Sequence, residues 1–327
     1  MDIALFSRSA VADYAHGPAV IEAVEGAFAA HATGGAVMPP KSYIDLPQYD
    51  GDFRSMPAYV SDESGDAAGV KWVNAHPNNP DEHDLPSVMG VFVYSDPETG
   101  RPLAVMDGTE LTRQRTAAAA AVATDHLARD EATTLGIVGA GAQSYRQVER
   151  LSHVRDIEEI IVSDKDPTAI DEFIERFDDR FTVTSGTITD AGHCDILTTL
   201  TPVRTPIVSR DDLEAHTHVN AMGADAAGKQ ELDPGILQEA KLVIDDYEQC
   251  THSGEINVPW SAGTLTDADL HGTLGEVVTG QREGRETDDG VTVFDSTGLA
   301  IQDIAAARVI FGHQSDDIPR FDLLELE

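Results

Sequence analysis

At 327 residues the chain is long enough for two domains of ordinary size, each burying its own core. Its formal net charge of −36, from 58 acidic and 22 basic residues spread along the whole chain, excludes nucleic acid and anionic membranes as expected partners. Apolar runs such as 117–123 are alanine-rich and too short to span a bilayer, and the N-terminus lacks the basic and apolar regions of a leader, so a cytoplasmic protein is expected.

The acidity suits concentrated salt, where carboxylates hold water and a short Debye length suppresses their repulsion. Lysine, whose apolar stem is a liability in such a solvent, survives only at Lys41, Lys71, Lys165, Lys229 and Lys241. A halophilic protein is therefore expected, in which each remaining lysine is a candidate for a specific task.

In chain order, a helix is expected over 18–32, followed by extended segments in KSYIDL, AGVKWVN and VMGVFVY, with turns at 78–80 and 97–100. These predict an antiparallel sheet with a helix against it, an α+β domain over 1–125. Lys41, Arg54 and Lys71 each stand in an extended stretch among apolar or small residues. Strand alternation puts Lys71 opposite in direction to Val70 and Trp72; if that face is a cleft, a desolvated amine becomes a general acid/base near neutrality. Arg54 offers a planar fork for a carboxylate. Both would equally serve as solvated strand residues paired with nearby acids. The hydroxyl of Ser87 opens the next strand. Arg115 stands in an alanine-rich helix over 113–129, where it could reach a carboxylate, reach phosphates or bridge two domains.

From residue 126 to 298 strand and helix signals alternate. Strands are expected at 134–138, 159–163, 181–184, 195–201, 218–222, 241–245 and 291–294, with helical stretches at 142–154 and through Phe173 and Phe177. Continuous apolar strands joined by helices predict a parallel sheet covered on both faces, a Rossmann-type α/β domain. A further helix over 301–310 could carry residues 299–327 back to the first domain. Gly139 and Gly141 follow the first strand of this domain directly and precede its helix, as a pyrophosphate-binding turn requires, although Ser144 replaces the usual third glycine. Asp164, at the end of the second strand, would accept from the adenosine ribose hydroxyls and repel a 2′-phosphate; this favours NAD over NADP, with Lys165 beside it arguing the other way. Cys194 and Cys250 form neither a CxxC pair nor part of a histidine cluster, so no metal site is expected.

Together, MPPKSYIDL, FRSMPAY, GVKWVNAHPNNP, LPSVMG, RTAAAAA, GIVGAGAQ, GADAAGKQELD, GEINV, GEVVTG and FDSTGLAIQD resemble the ornithine cyclodeaminase/μ-crystallin family, and within it its archaeal alanine dehydrogenase branch. The likeness runs in order from about residue 37 to residue 303. It implies an NAD-binding Rossmann domain and a substrate-binding domain that pairs with that of a second subunit in a homodimer. By motif position, Lys71 matches the catalytic lysine, and Arg54 and Lys41 the positions around the substrate carboxylate, with Thr297 also assigned to the substrate. Arg115 falls near both substrate and cofactor. Gly139, Gly141, Ala142 and Gln143 match the phosphate turn and Asp164 the ribose acid. Asp225 matches the acidic catalytic residue, while Thr201, Met222, Gly223, Lys229 and Ser296 fall beside the cofactor. So does Ser87, where the family's usual residue is threonine.

The activity this implies is NAD-dependent, reversible oxidative deamination of L-alanine to pyruvate and ammonia. The alternatives are cyclodeamination of L-ornithine to proline, reduction of a cyclic imine, and a non-catalytic protein holding a dinucleotide and a small ligand. The sequence leaves open which of Lys71 and Asp225 acts as base in each step.

Overall fold

The computed structural model describes residues 2–315 and 317–322, which form two compact units: residues up to Arg115 together with those from Leu299 onward, and Thr116–Gly298.

The first unit is built on a mixed sheet. In chain order its strands are β1 (Ile3–Phe6), β2 (Ala36–Val37), β3 (Ser42–Leu46), β4 (Gly51–Asp62), β5 (Gly65–Ala75), β6 (Val88–Ser95) and β7 (Pro102–Asp107), with a short C-terminal strand, Arg320–Phe321. The order is C-terminal strand, β1, β7, β6, β5, β4, β2, and β3 also pairs with β4. Every pairing is antiparallel except β1 with β7, which is parallel; an all-antiparallel sheet was the expectation. Direct cross-strand partners share a face, and the register aligns Met56, Lys71, Phe92, Met106 and Phe6 in one row. All five are buried, on the face covered by the helices Gly17–Ala32 and Ala300–Gly312. Lysine is the only ionisable member of that row. The opposite face carries Phe53 stacked on Trp72, ring centroids 5.2 Å apart, with Ile44, Trp72 and Val91 exposed at 52%, 41% and 45%.

The alanine-rich helix runs over Gly108–Leu127, beginning five residues before the position expected. Asp107 explains the early start: its Oδ1 accepts the Glu110 N–H at 2.7 Å, an N-terminal cap just ahead of the alanine run. At the other end the buried Arg155 guanidinium donates to the carbonyls of Thr124, Asp125, Ala128 and Arg129, tying down the last turn and the residues after it.

The second unit holds eight strands: β8 (Thr134–Val138), β9 (Glu159–Ser163), β10 (Thr182–Ser185), β11 (Ile196–Thr199), β12 (His218–Ala221), β13 (Lys241–Ile244), β14 (Leu270–Thr273) and β15 (Thr292–Asp295). They are all parallel, in the order β10-β9-β8-β11-β12-β15-β13-β14. Alternation serves two cores. Leu135, Ile137 and Ile196 pack with Phe173 and Phe177 on one face, while Val138, Leu197, Val219 and Ala221 pack with Ile236 and Leu237 on the other. Phe173 and Phe177 lie one turn apart on the helix Pro167–Phe177 and are fully buried; each contributes roughly 2–3 kcal/mol by leaving water. The chain reverses direction across the sheet between β8 and β11, the switch point beyond whose carboxyl ends open α/β sheets bind ligands.

Candidate active site

In the first unit Lys71 is only 1% exposed. Its Nζ donates to Thr112 Oγ1 at 3.0 Å and to Asp303 Oδ1 at 2.9 Å, and lies 2.8 Å from Asp303 Oδ2. Asp303 Oδ1 also accepts from Arg115 Nε at 3.0 Å, while Arg115 Nη1 donates to Gln302. Burial pushes the Lys71 pKa down to about 7, assisted by the Arg115 charge and opposed by Asp303. The amine thus exchanges a proton near neutrality, the range a general acid/base needs. Arg54 lies two residues along β4 from Met56, the cross-strand partner of Lys71, and so shares its face of the sheet. Its Nε and Nη2 bond both oxygens of Asp52, at 2.8 and 3.0 Å, and its plane lies over the Tyr43 ring, which fixes the orientation of the fork. Lys41 precedes β3 and is close enough to depress the Lys71 pKa further. Ser87 immediately precedes β6, and its carbonyl accepts from the His76 N–H; its hydroxyl has no part in the Lys71 network.

In the second unit the turn after β8 has the geometry of a phosphate cradle. Gly139 adopts φ +103°, a conformation that L side chains rarely take, and a Cβ there would sit 3.3 Å from the Leu200 carbonyl. A Cβ on Gly141 would meet nothing within 4 Å, leaving room for a ligand to approach the backbone. Among the described residues no atom accepts from the N–H groups of Gly141, Ala142 and Gln143, and Gln143 Oε1 is buried without a partner. Three such donors at the start of the helix Ser144–Leu151 suit a pyrophosphate. Asp164 Oδ2 accepts the Ala140 N–H at 2.7 Å, tying the end of β9 to this turn.

Beyond β11, β12 and β15 the loops rest on buried carboxylates. Glu231 accepts the N–H and hydroxyl of Thr201, the Thr199 hydroxyl and the Gly223 N–H, at 2.6–3.0 Å. Glu255 accepts the N–H of Glu231 and Leu232, and Asp295 those of Glu255 and Ile256. Desolvation raises all three pKa values, that of Asp295 to about 7. Asp245 accepts the N–H groups of Thr297 and Gly298 and the hydroxyls of Ser296 and Thr297. Met222 and Gly223 follow β12 directly. Lys229 Nζ meets Asp225 Oδ1 at 2.5 Å, one turn apart in the loop that follows.

The structure therefore gathers Lys41, Arg54, Lys71 and Arg115 in the first unit. Gly139 to Gln143, Asp164, Thr201, Met222, Gly223, Asp225, Lys229, Ser296 and Thr297 follow the strands of the second. The Thr297 hydroxyl, assigned to the substrate from sequence, is bonded to Asp245. Sequence reasoning gave no role to Asp303, Glu231 or Asp245. For Asp303 a signal existed: it is an acid inside the run Ala300–Ala307, which is buried throughout.

These features define a two-unit α/β protein with a Rossmann-type, dinucleotide-binding sheet and a separate sheet bearing a buried, titratable lysine among cations. A model of the ornithine cyclodeaminase/mu-crystallin family matches residues 3–317, and the chain belongs to that family. It is 47% identical to an alanine dehydrogenase of Archaeoglobus fulgidus over 292 residues, 89% of this chain and 88% of that one. A solved archaeal alanine dehydrogenase dimer with bound NAD superposes with a TM-score of 0.90 at 44% identity, covering 95% of this chain and 96% of that one. A Thermococcus litoralis Delta(1)-pyrroline-2-carboxylate reductase in complex with NADH and L-proline gives 0.90 at 34% identity, covering 95% and 97%.

Proposed function

We propose that this protein is an NAD-dependent dehydrogenase that converts L-alanine reversibly to pyruvate and ammonia. The observation that carries the reading is the buried Lys71 amine, poised near neutrality on the sheet face it shares with Arg54, in a chain 47% identical to an alanine dehydrogenase. In this reading the first unit binds substrate and the second binds NAD, which supplies the hydride acceptor. Arg54 and Lys41 hold the substrate carboxylate, and the rigid Asp52–Arg54 pairing sets its orientation. Lys71 and Asp225 share the proton transfers: one takes the proton of the substrate amine as hydride leaves Cα, and both serve as water adds to iminopyruvate and ammonia departs. Arg115 holds positive charge beside these steps. The turn from Gly139 to Gln143 receives the pyrophosphate and Asp164 the ribose. Thr201, Met222, Gly223, Lys229 and Ser296 line the nicotinamide end, and Ser87 contributes a hydroxyl towards the cofactor. Thr297 serves the substrate through the turn that Asp245 fixes.

Purified protein in molar KCl with NAD and L-alanine should produce NADH; with L-ornithine it should yield neither NADH nor proline. Proline without NADH would replace this reading with cyclodeamination. Reduction of pyrroline-2-carboxylate without alanine turnover would replace it with the cyclic imine reaction, which the likeness to the pyrroline-2-carboxylate reductase favours as second choice.

We further infer a halophilic, cytoplasmic homodimer. The charge of −36 supports the first part, and the exposed Ile44, Trp72 and Val91 on the uncovered sheet face, with the dimeric solved relative, support the last. One salt titration tests both. In 2 M KCl sedimentation should give about twice 35 kDa, and the melting midpoint should fall steadily as KCl is diluted towards 0.1 M, where the Debye length lengthens to about 10 Å and carboxylate repulsion returns. A monomer, or a midpoint indifferent to salt, would refute the corresponding inference.

A further inference from the structure

Asp303 lies in the first turn of the helix Ala300–Gly312, wholly excluded from solvent, and faces two cations with one carboxylate. Lys71 Nζ and Arg115 Nε both donate to Oδ1, at 2.9 and 3.0 Å. Neighbouring groups complete the hold: Thr112 takes a second Lys71 proton, and Gln302, the residue before Asp303, takes a second Arg115 proton. An ion pair that served packing alone would balance its charges. Two basic groups on one acid instead leave, whenever Lys71 is protonated, a surplus positive charge buried inside a strongly acidic protein, an arrangement suited to an anion that comes and goes.

We propose that Asp303 is a positioning residue of the reaction, acting through Lys71: it fixes the direction in which the amine meets the substrate and ties that amine rigidly to Arg115. The inference rests on the reading of Lys71 as a proton-transfer group. The electrostatics agree with the geometry. Desolvation, Arg115 and Lys41 all favour loss of the Lys71 proton, and Asp303 opposes them through both its charge and its hydrogen bond; their balance leaves the amine at about 7. The other side chains in its row across β4 and β6, Met56 and Phe92, are uncharged. Without Asp303 the amine would be neutral throughout the physiological range and free to leave its rotamer.

The test uses the scarcity of lysine. With five lysines in the chain, biosynthetic labelling with ¹³Cε-lysine gives five titrating signals, and Lys71→Arg identifies one of them. In the intact protein with NAD, the Lys71 signal should titrate near 7. In Asp303→Asn it should move down by about one to two units, the usual effect of losing one adjacent opposite charge. The pH limb of kcat/KM should follow it, and kcat should fall at least tenfold while NAD affinity stays unchanged. In Asp303→Glu the charge survives on a longer arm, so the signal should stay near 7 while kcat still falls about tenfold. That variant decides the matter alone if Asp303→Asn does not fold. An unmoved Lys71 signal in Asp303→Asn, or wild-type kcat in Asp303→Glu, would overturn the positioning role. A signal that moves while the kinetic limb does not would show that Lys71 is not the proton-transfer group, and the role proposed for Asp303 would fall with it.

Discussion

Lys71→Ala should lower turnover of L-alanine by about 10² to 10⁴-fold, the usual worth of a positioned general acid/base, while leaving NAD affinity within about twofold of wild type. The loss should be in kcat and not in KM alone, because Arg54 and Lys41 still hold the carboxylate. The pH dependence gives the finer signature. A lysine whose pKa is depressed from 10.5 to about 7 is mostly charged below 7 and mostly neutral above it. The neutral amine is the form that accepts a proton, so oxidation of alanine should rise with pH through about 7 and then level. The reverse reaction needs the charged form and should decline above the same point. In Lys71→Ala both limbs should vanish, leaving a low, flat profile. Stopped-flow NADH traces from pH 5.5 to 9, with NAD binding followed by fluorescence, would settle this; a variant that keeps the wild-type limb would show that Lys71 is not the titrating group.

Much of this architecture was legible because it rests on local pattern. β8, β9 and β13 each carry a continuous apolar run (LGIV, IIV and LVI), as strands buried on both faces do, so a parallel sheet was the expectation. Lys71 could be singled out because alternation opposed it to Val70 and Trp72, and because lysine is rare in the chain. Two kinds of information were missing. One was long-range pairing: nothing in IALF says that β1 runs parallel to β7, since that register is fixed by which strands meet across a hundred residues. The other was hidden by composition. Among 58 acids most functional carboxylates have little contrast: Glu231 and Asp245 read as more of the same surface, and only its place inside an apolar run sets Asp303 apart. Burial separates them: surface acids keep their water, whereas these three lost it and took backbone N–H groups, hydroxyls or cations instead. Asp107 shows the same effect on a smaller scale, since one acid acting as a cap moved the helix start by five residues.

Gly223→Ala should damage both the fold and the cofactor site, and comparison with Gly141→Ala separates the two effects. A Cβ on Gly223 would fall 2.3 Å from the Thr201 carbonyl oxygen and 2.4 Å from Glu231 Oε2. Neither atom can yield cheaply. Thr201 is held through its N–H and hydroxyl by Glu231 Oε1, and the backbone of Glu231 is in turn held by Glu255. The added methyl therefore wedges the ends of β11 and β12 apart and strips the carboxylate of the Gly223 N–H, leaving a buried acid short of a donor. Overpacking of this kind costs about 1–3 kcal/mol, so the melting midpoint should drop by several degrees. NAD affinity should fall at least tenfold, because the loop carrying Thr201 and the one carrying Met222 move together. At Gly141 the same methyl meets only open space, so Gly141→Ala should melt like wild type yet bind NAD at least tenfold more weakly, since the methyl occupies the approach a pyrophosphate would take. Calorimetry and NAD titration on the two variants read both quantities. If Gly223→Ala melts and binds NAD as wild type does, the carboxylate-held loops do not form the cofactor's nicotinamide end.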